Sequence, residues 1–133
     1  MKENNRQYRP PPPNVWTYTL PGDWTVMAGK SDVDNGRLSL KTAAPNDWWF
    51  HVRGMPGSHV ILQAKPDQEP GRDTKKMAAA IAAYHSKART GGLTAVSCTR
   101  ARFVTKPKGA KRGTVTIRKE MVLKVRPALP CGL

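Results

Sequence analysis

Cysteine, carboxylates and long apolar runs are all scarce in this 133-residue chain. Cys98 and Cys131 are the only cysteines and form no Cys-x-x-Cys pair, so neither a disulfide framework nor a cysteine zinc site is expected. Cys98 reads as a small buried hydrophobe, and Cys131 as an incidental thiol of the tail. No apolar stretch approaches the roughly 20 residues of a membrane span. The first six residues are polar and lack the apolar core of a secretion signal. A single cytoplasmic domain with a modest core is the expectation. Three histidines are too few to suggest a metal centre, and no Gly-x-Ser-x-Gly or other nucleophile signature occurs. No cofactor is expected.

What the chain has in excess is positive charge. Its 23 Lys and Arg against nine Asp and Glu give +14 and a pI near 10.4. The excess is uneven: +3 through Ser86, but +11 from Lys87 onward, where Glu120 is the only carboxylate. A fold does not need that imbalance and self-repulsion opposes it. A polyanionic partner is the simplest reason, and nucleic acid is favoured over an acidic membrane or protein.

In chain order, residues 1–15 carry four successive prolines behind a polar lead and read as a flexible, polyproline-type arm. β-prone runs at 16–20 and 24–29 flank a Pro-Gly turn. A short helix near 36–43 follows, capped by Asp34 or Asn35; an alternating strand with Leu38 and Leu40 on one face is the alternative. A hairpin over 47–53 and 59–64 comes next. The principal helix, about 73–89, starts at an Asp73 or Thr74 cap and is rich in alanine. Strands at 93–99, 114–118 and 121–125 close the domain, the last two as a pair. The sum is an α+β domain over 16–126, mostly antiparallel sheet with one principal helix, and a loose tail from 127 to 133.

Residues 46–62 concentrate the unusual side chains: Trp48, Trp49, His51, Arg53, Ser58 and His59 around Pro56-Gly57, read as strand, tight turn, strand. Three readings stand. The segment is core, with the histidines at its rim; it is a binding site, with His51, Arg53 and His59 donating to phosphate or a base edge and an exposed Trp to stack on; or His51 and Asp47 form an acid–base pair or hold a metal. The last is weakest, because no second carboxylate lies near. The glycine-containing loop 106–113 presents Lys106, Lys108, Lys111 and Arg112, suited to salt-dependent phosphate contacts.

The run Asp47-Trp48-Trp49-Phe50-His51-Val52-Arg53, followed by Pro56-Gly57-Ser58-His59-Val60, resembles the signature of the NFACT-R domain. That domain is the C-terminal part of ribosome quality-control NFACT proteins, also described as fibronectin-binding protein A-like. The likeness extends to Val26 through Lys30 with Asn35, Leu38 and Leu40, to the alanine-rich helix, and to Lys106-Pro107-Lys108-Gly109. It covers roughly 16–126.

The resemblance implies a non-catalytic RNA-binding role, with transfer RNA or ribosomal RNA as partner and the large ribosomal subunit as setting. It implies Lys30, Asn35, His51, Arg53, Ser58 and His59 as the specific surface, with the basic loop on the RNA backbone. Lys30 stands where the family usually has Arg, which removes a bidentate fork but keeps a cation. The chain has no room for the family's other modules, so a stand-alone RNA-binding protein is expected rather than tail synthesis. The rival reading is an RNA- or nucleotide-processing enzyme using His51 and His59.

Overall fold

In the computed structural model, which describes residues 12–111 and 113–130, the chain opens with strands β1 (Val15–Leu20) and β2 (Trp24–Gly29). Helix α1 (Asp32–Arg37) runs directly into a π-helical turn at Leu38–Thr42. Strands β3 (Trp48–Val52) and β4 (Val60–Leu62) precede the principal helix α2 (Arg72–Tyr84). Strand β5 (Thr94–Arg100), β6 (Val104–Thr105), β7 (Thr116–Ile117) and β8 (Met121–Val125) complete the order. Six strands form one antiparallel sheet, β1-β2-β4-β3-β5-β8, while β6 and β7 pair as a separate ribbon. The α+β class with one principal helix is the fold adopted.

The central strands are buried on both faces, so they read as continuous apolar runs rather than as alternation. Trp48 and Phe50 of β3, Val60 and Leu62 of β4, and Val26 and Ala28 of β2 face α2. Trp49 and Ile61 face the opposite side, where Leu38 and Val104 cover them. The register Trp48↔Leu62, Trp49↔Ile61, Phe50↔Val60 sets these side chains in matched layers. Ala78, Ala79, Ala82 and Ala83 are fully buried on α2, and their small size lets the helix backbone lie close on the sheet. Full burial of a side chain such as Phe50 or Ile61 contributes about 1.5–3 kcal/mol.

Several boundaries differ from the sequence reading, each for a local reason. Helix α1 begins at Asp32 because Ser31 is the cap: its Oγ accepts the Asp34 N–H at 3.1 Å. Asp34 instead lies inside the helix, where its carboxylate accepts from Ser31 Oγ and the Asn14 N–H. The strand alternative at Leu38 and Leu40 is excluded by the π turn, closed by the Ala43 N–H on the Leu38 carbonyl at 2.9 Å. Helix α2 is capped at Gly71 without a side chain, and Asp73 sits in its first turn, where a carboxylate suits the helix dipole. It ends at Tyr84 rather than near 89, since His85 leaves helical geometry to meet β1. The β3–β4 connection is a seven-residue loop, 53–59, not a tight turn. Strands β7 and β8 do not pair with each other; β7 joins β6, and β8 joins the free edge of β5. The tail is held as far as Leu129, which packs on the core after Ala128 N–H bonds the Ala80 carbonyl. Most of the proline arm (residues 1–11), Arg112 and Cys131 fall outside the described residues.

Helix α1 docks where Gly29 ends β2. A Cβ on Gly29 would lie 2.1 Å from Asn35 Oδ1, the oxygen that accepts the His59 backbone N–H at 3.0 Å. Gly29→Ala is therefore expected to evict that amide and leave a buried donor unpaired, lowering stability by about 1–3 kcal/mol. Chemical denaturation measures it, and an unchanged midpoint would contradict this packing.

Candidate nucleic-acid interface

The 53–59 loop is strapped to the segment after α2 by two backbone hydrogen bonds that make Gly57 and Ser86 an antiparallel bridge. Ser58 N–H donates to the His85 carbonyl at 2.8 Å, and Lys87 N–H donates to the Pro56 carbonyl at 3.2 Å. Only glycine fits at 57, where a Cβ would stand 2.7 Å from that of Ser86. From the other side, the Ser58 hydroxyl donates to the Gly29 carbonyl at 2.6 Å. The Pro-Gly-Ser-His segment is thus a rigid wall between α1 and the end of α2.

Along this wall runs a cleft of three adjoining cavities of about 330, 270 and 340 Å³. The first holds Trp16, Lys30, His85, Lys87 and Arg89. The middle one, sharing Asp32, Asn35, Pro56 and Gly57 with it, adds His51 and Lys111. The third shares His51, His59, Gly113 and Thr114 with the second and ends at Arg53. Gly113, at the exit of the basic loop, packs on Asp32 and Gly36 of α1, and this contact holds Lys111 at the cleft.

Two histidines form the cleft's inner wall. His59 is 4% exposed, and its Nδ1 is hydrogen-bonded to Ser39 Oγ at 2.7 Å. Trp49 Nε1–H donates to the same hydroxyl at 2.9 Å, so Ser39 is engaged twice and buried. The Ser39–His59 pair has the composition of a nucleophile and base but is sealed inside the protein. His51 meets His59 edge to face at 5.4 Å and stacks on Trp49 at 6.0 Å. Burial lowers the His51 pKa, opposed by the Gly57 backbone. Burial and then the neighbouring His51 bring His59 down to about 4. Both rings are neutral at neutral pH, offering hydrogen bonds rather than charge.

The His51–Asp47 acid–base pair, the weakest of the three readings of the hairpin, does not form. Asp47 spends both carboxylate oxygens on backbone amides, accepting from Ala44 N–H at 2.9 Å and Ala64 N–H at 2.8 Å. No three His, Cys, Asp or Glu groups cluster in metal-binding geometry among the described residues.

The comparisons with known proteins bear on this geometry. A model of the NFACT protein RNA binding domain matches residues 14–119. The chain belongs to that family. It is 36% identical over 127 residues to the Rqc2 homolog RqcH of Bacillus subtilis (strain 168), covering 96% of this chain and 22% of that protein. The Rqc2 homolog RqcH of Streptococcus suis is 39% identical over 106 residues, 80% of this chain and 19% of the relative. This chain therefore spans about a fifth of the length of those relatives. Among solved structures, the C-terminal part of the fibronectin/fibrinogen-binding protein of Streptococcus suis superposes with a TM-score of 0.79 at 34% identity. The match covers 91% of this chain and 47% of that one.

Within this NFACT RNA binding domain, the residues singled out from sequence divide by depth. Lys30, Lys106, Lys108 and Lys111 are exposed. Arg53 is exposed too, but pairs with Glu120 at 3.2 Å. His51 is half-buried at the cleft. Asn35, Ser58 and His59 are buried and hold the cleft's shape from inside. Arg112 lies outside the described residues. Both hairpin tryptophans are buried, so the hairpin offers no stacking face; the exposed indole is Trp16, at 38%. Sequence reading did not single out Trp16, His85, Lys87 or Arg89 as site residues. The available signal was Trp16-x-Tyr18-x-Leu20, which puts Trp16 on the core-facing side of β1.

No helix among the described residues is long and apolar enough to cross a membrane.

The neutral histidines give a pH dependence. His59 binds its proton near the ordinary 6.5 when unfolded but only near 4 when folded. The unfolded chain therefore holds more protons between those values. Stability is full above about 6.5 and falls as the pH drops towards about 4. His85, also lowered to about 4 by burial, acts in the same window. Ring-proton NMR of the folded protein should show His59 untitrated at pH 6.5; a midpoint near the ordinary value would contradict the buried Ser39–His59–Trp49 arrangement.

Proposed function

We propose that this domain binds RNA along the cleft between the Pro56-Gly57-Ser58 wall and α1, without acting on the RNA chemically. The observation that carries the reading is the convergence of lysines from three distant segments on one cleft. Lys30 follows β2, Lys87 follows α2, and Lys111 belongs to the basic loop beside α1. Among the described residues none of these three forms an ion pair with a carboxylate, whereas Arg53 and Arg100 do. Cations not committed to an ion pair are suited to phosphates, whose neutralisation releases condensed counterions.

In this reading Lys30, Lys106, Lys108, Lys111 and Arg112 contact the RNA backbone, and His51 presents a neutral hydrogen-bonding edge to a base or ribose. Asn35, Ser58 and His59 act as positioning residues. Arg53 joins after exchanging Glu120 for a phosphate. Transfer RNA or ribosomal RNA in the cytoplasm is the partner that fits best, with the large ribosomal subunit and translation quality control as the setting. The support is the NFACT family and the similarity to Rqc2 homologs.

The test is binding of transfer RNA and ribosomal RNA fragments across a salt series. Log affinity should fall linearly with log salt. Replacing Lys106, Lys108 and Lys111 together with Gln should weaken binding to all sequences and reduce the slope by up to about three phosphate contacts. Affinity independent of salt, or no RNA binding by the folded protein, would falsify the proposal. RNA cleavage or modification that disappears in folded His51→Ala protein would favour the enzymatic alternative instead.

A further inference from the structure

One end of the cleft is built differently from the rest. Trp16 is 38% exposed, yet its indole is not loose. The His85 ring lies against it with centroids 4.2 Å apart and planes 10° from parallel. His85 is fixed in turn, with Nε2 hydrogen-bonded to the Tyr18 hydroxyl at 2.7 Å and Tyr84 packed edge-on at 5.2 Å. Arg89 closes the series: its guanidinium lies 4.1 Å from the Tyr84 ring centroid, and its Nε–H donates to the Tyr84 carbonyl at 2.7 Å. Four planar groups from β1 and the end of α2 thus pack in series, with Trp16 and His85 as a parallel stack and Tyr84 edge-on to it. Lys30 Nζ stands 5.3 Å from the Trp16 centroid, on an exposed side chain long enough to give way.

Phosphate binding alone does not call for such a stack. A fixed, exposed aromatic face next to flexible cations is the arrangement that recognises a flat ring carrying a phosphate. The adjoining cavity, about 330 Å³, lies within the roughly 300–1,000 Å³ of small-ligand sites. Its charge lining is Lys30, Lys87 and Arg89 against Asp32. A carboxylate there repels phosphate but accepts from a ribose hydroxyl or a base N–H.

We propose that the Trp16 end of the cleft is a subsite for one unpaired nucleotide, its base stacked on the Trp16 indole and its phosphate held by Lys30, Lys87 and Arg89. In its strand form the inference rests on the RNA-binding reading and sharpens it to single-stranded or splayed-out RNA. A free mononucleotide has the same chemistry, and the test separates the two sources.

The experiment measures binding of an unstructured single-stranded oligouridylate, a blunt RNA duplex and AMP to the full chain and to Trp16→Ala and Trp16→Tyr. Trp16→Ala should lose about 5- to 150-fold in affinity for the single strand, the range for a stacked base, while Trp16→Tyr keeps most of it. Duplex affinity, carried by the lysines, should stay unchanged. AMP that competes with the single strand on the wild type marks the free nucleotide as a ligand in its own right. Absence of competition, with the Trp16→Ala loss intact, assigns the subsite to a strand. Equal single-strand affinity in wild type and Trp16→Ala overturns the subsite, as does an equal loss for the duplex. Should the wild type bind neither RNA, the RNA-binding reading falls, and AMP decides the subsite alone: binding abolished by Trp16→Ala keeps it, and no binding overturns it.

Discussion

The hydrogen bond from the His59 backbone N–H to Asn35 Oδ1 is the constraint from which the cleft is built. It requires Asn35 on the first helix, a strand end with no Cβ at Gly29, and an extended backbone at His59. Gly29 and His59 are further tied by the Gly29 N–H on the His59 carbonyl at 3.1 Å. The same helix, widened into a π turn, brings Leu38 and Ser39 both inward, so that Ser39 reaches His59 and Trp49. A buried polar network of this kind defines one geometry when satisfied and is costly when any member is missing. It joins three segments distant in sequence, and the cleft exists because they meet.

The division of labour within the cleft follows from burial. Its inner wall is neutral: His51 and His59 are desolvated, and desolvation disfavours their cationic forms. Charge is carried instead by exposed side chains on the rim and on the basic loop, which can follow a polyanion at little cost. Rigid neutral walls suit discrimination among base and ribose edges, and mobile cations suit the backbone, the two halves of nucleic-acid recognition. Part of the chain's charge excess, Lys87, Arg89 and Lys111, lies on the same cleft as His51 and His59 of the hairpin segment.

Much of this was legible in the sequence. The apolar runs of β3 and β4 marked the central hairpin, the alanine spacing marked α2, and Pro56-Gly57-Ser58-His59 with the Lys-Pro-Lys-Gly loop carried the family resemblance. What escaped were features set by long-range contact. Nothing local distinguishes Ser31 from Asp34 as the helix cap until Asn14 is seen to occupy Asp34. Trp48 and Trp49 differ in no way that shows both to be buried; that depends on the π turn and β6 covering the second face. Trp16 shares the inward parity of Leu20 but lies past the end of α2, and only the docked helix, finishing at Tyr84 with His85 turned back onto β1, leaves the indole open. His59, expected at a surface, is interior because α1 and the π turn pack over it, with Asn35 on its backbone and Ser39 on its ring.

The central claim is that RNA occupies the cleft between the Pro56-Gly57-Ser58 wall and α1. Titrating RNA into isotope-labelled protein and following backbone amide and tryptophan indole NMR signals tests it most directly. The account predicts shifts in residues 30–32, 56–58, 85–89 and 106–113, and in the Trp16 indole. The buried Trp49 indole should move little. Shifts confined to the β8 edge or to the solvent face of α2, with the cleft silent, would contradict it.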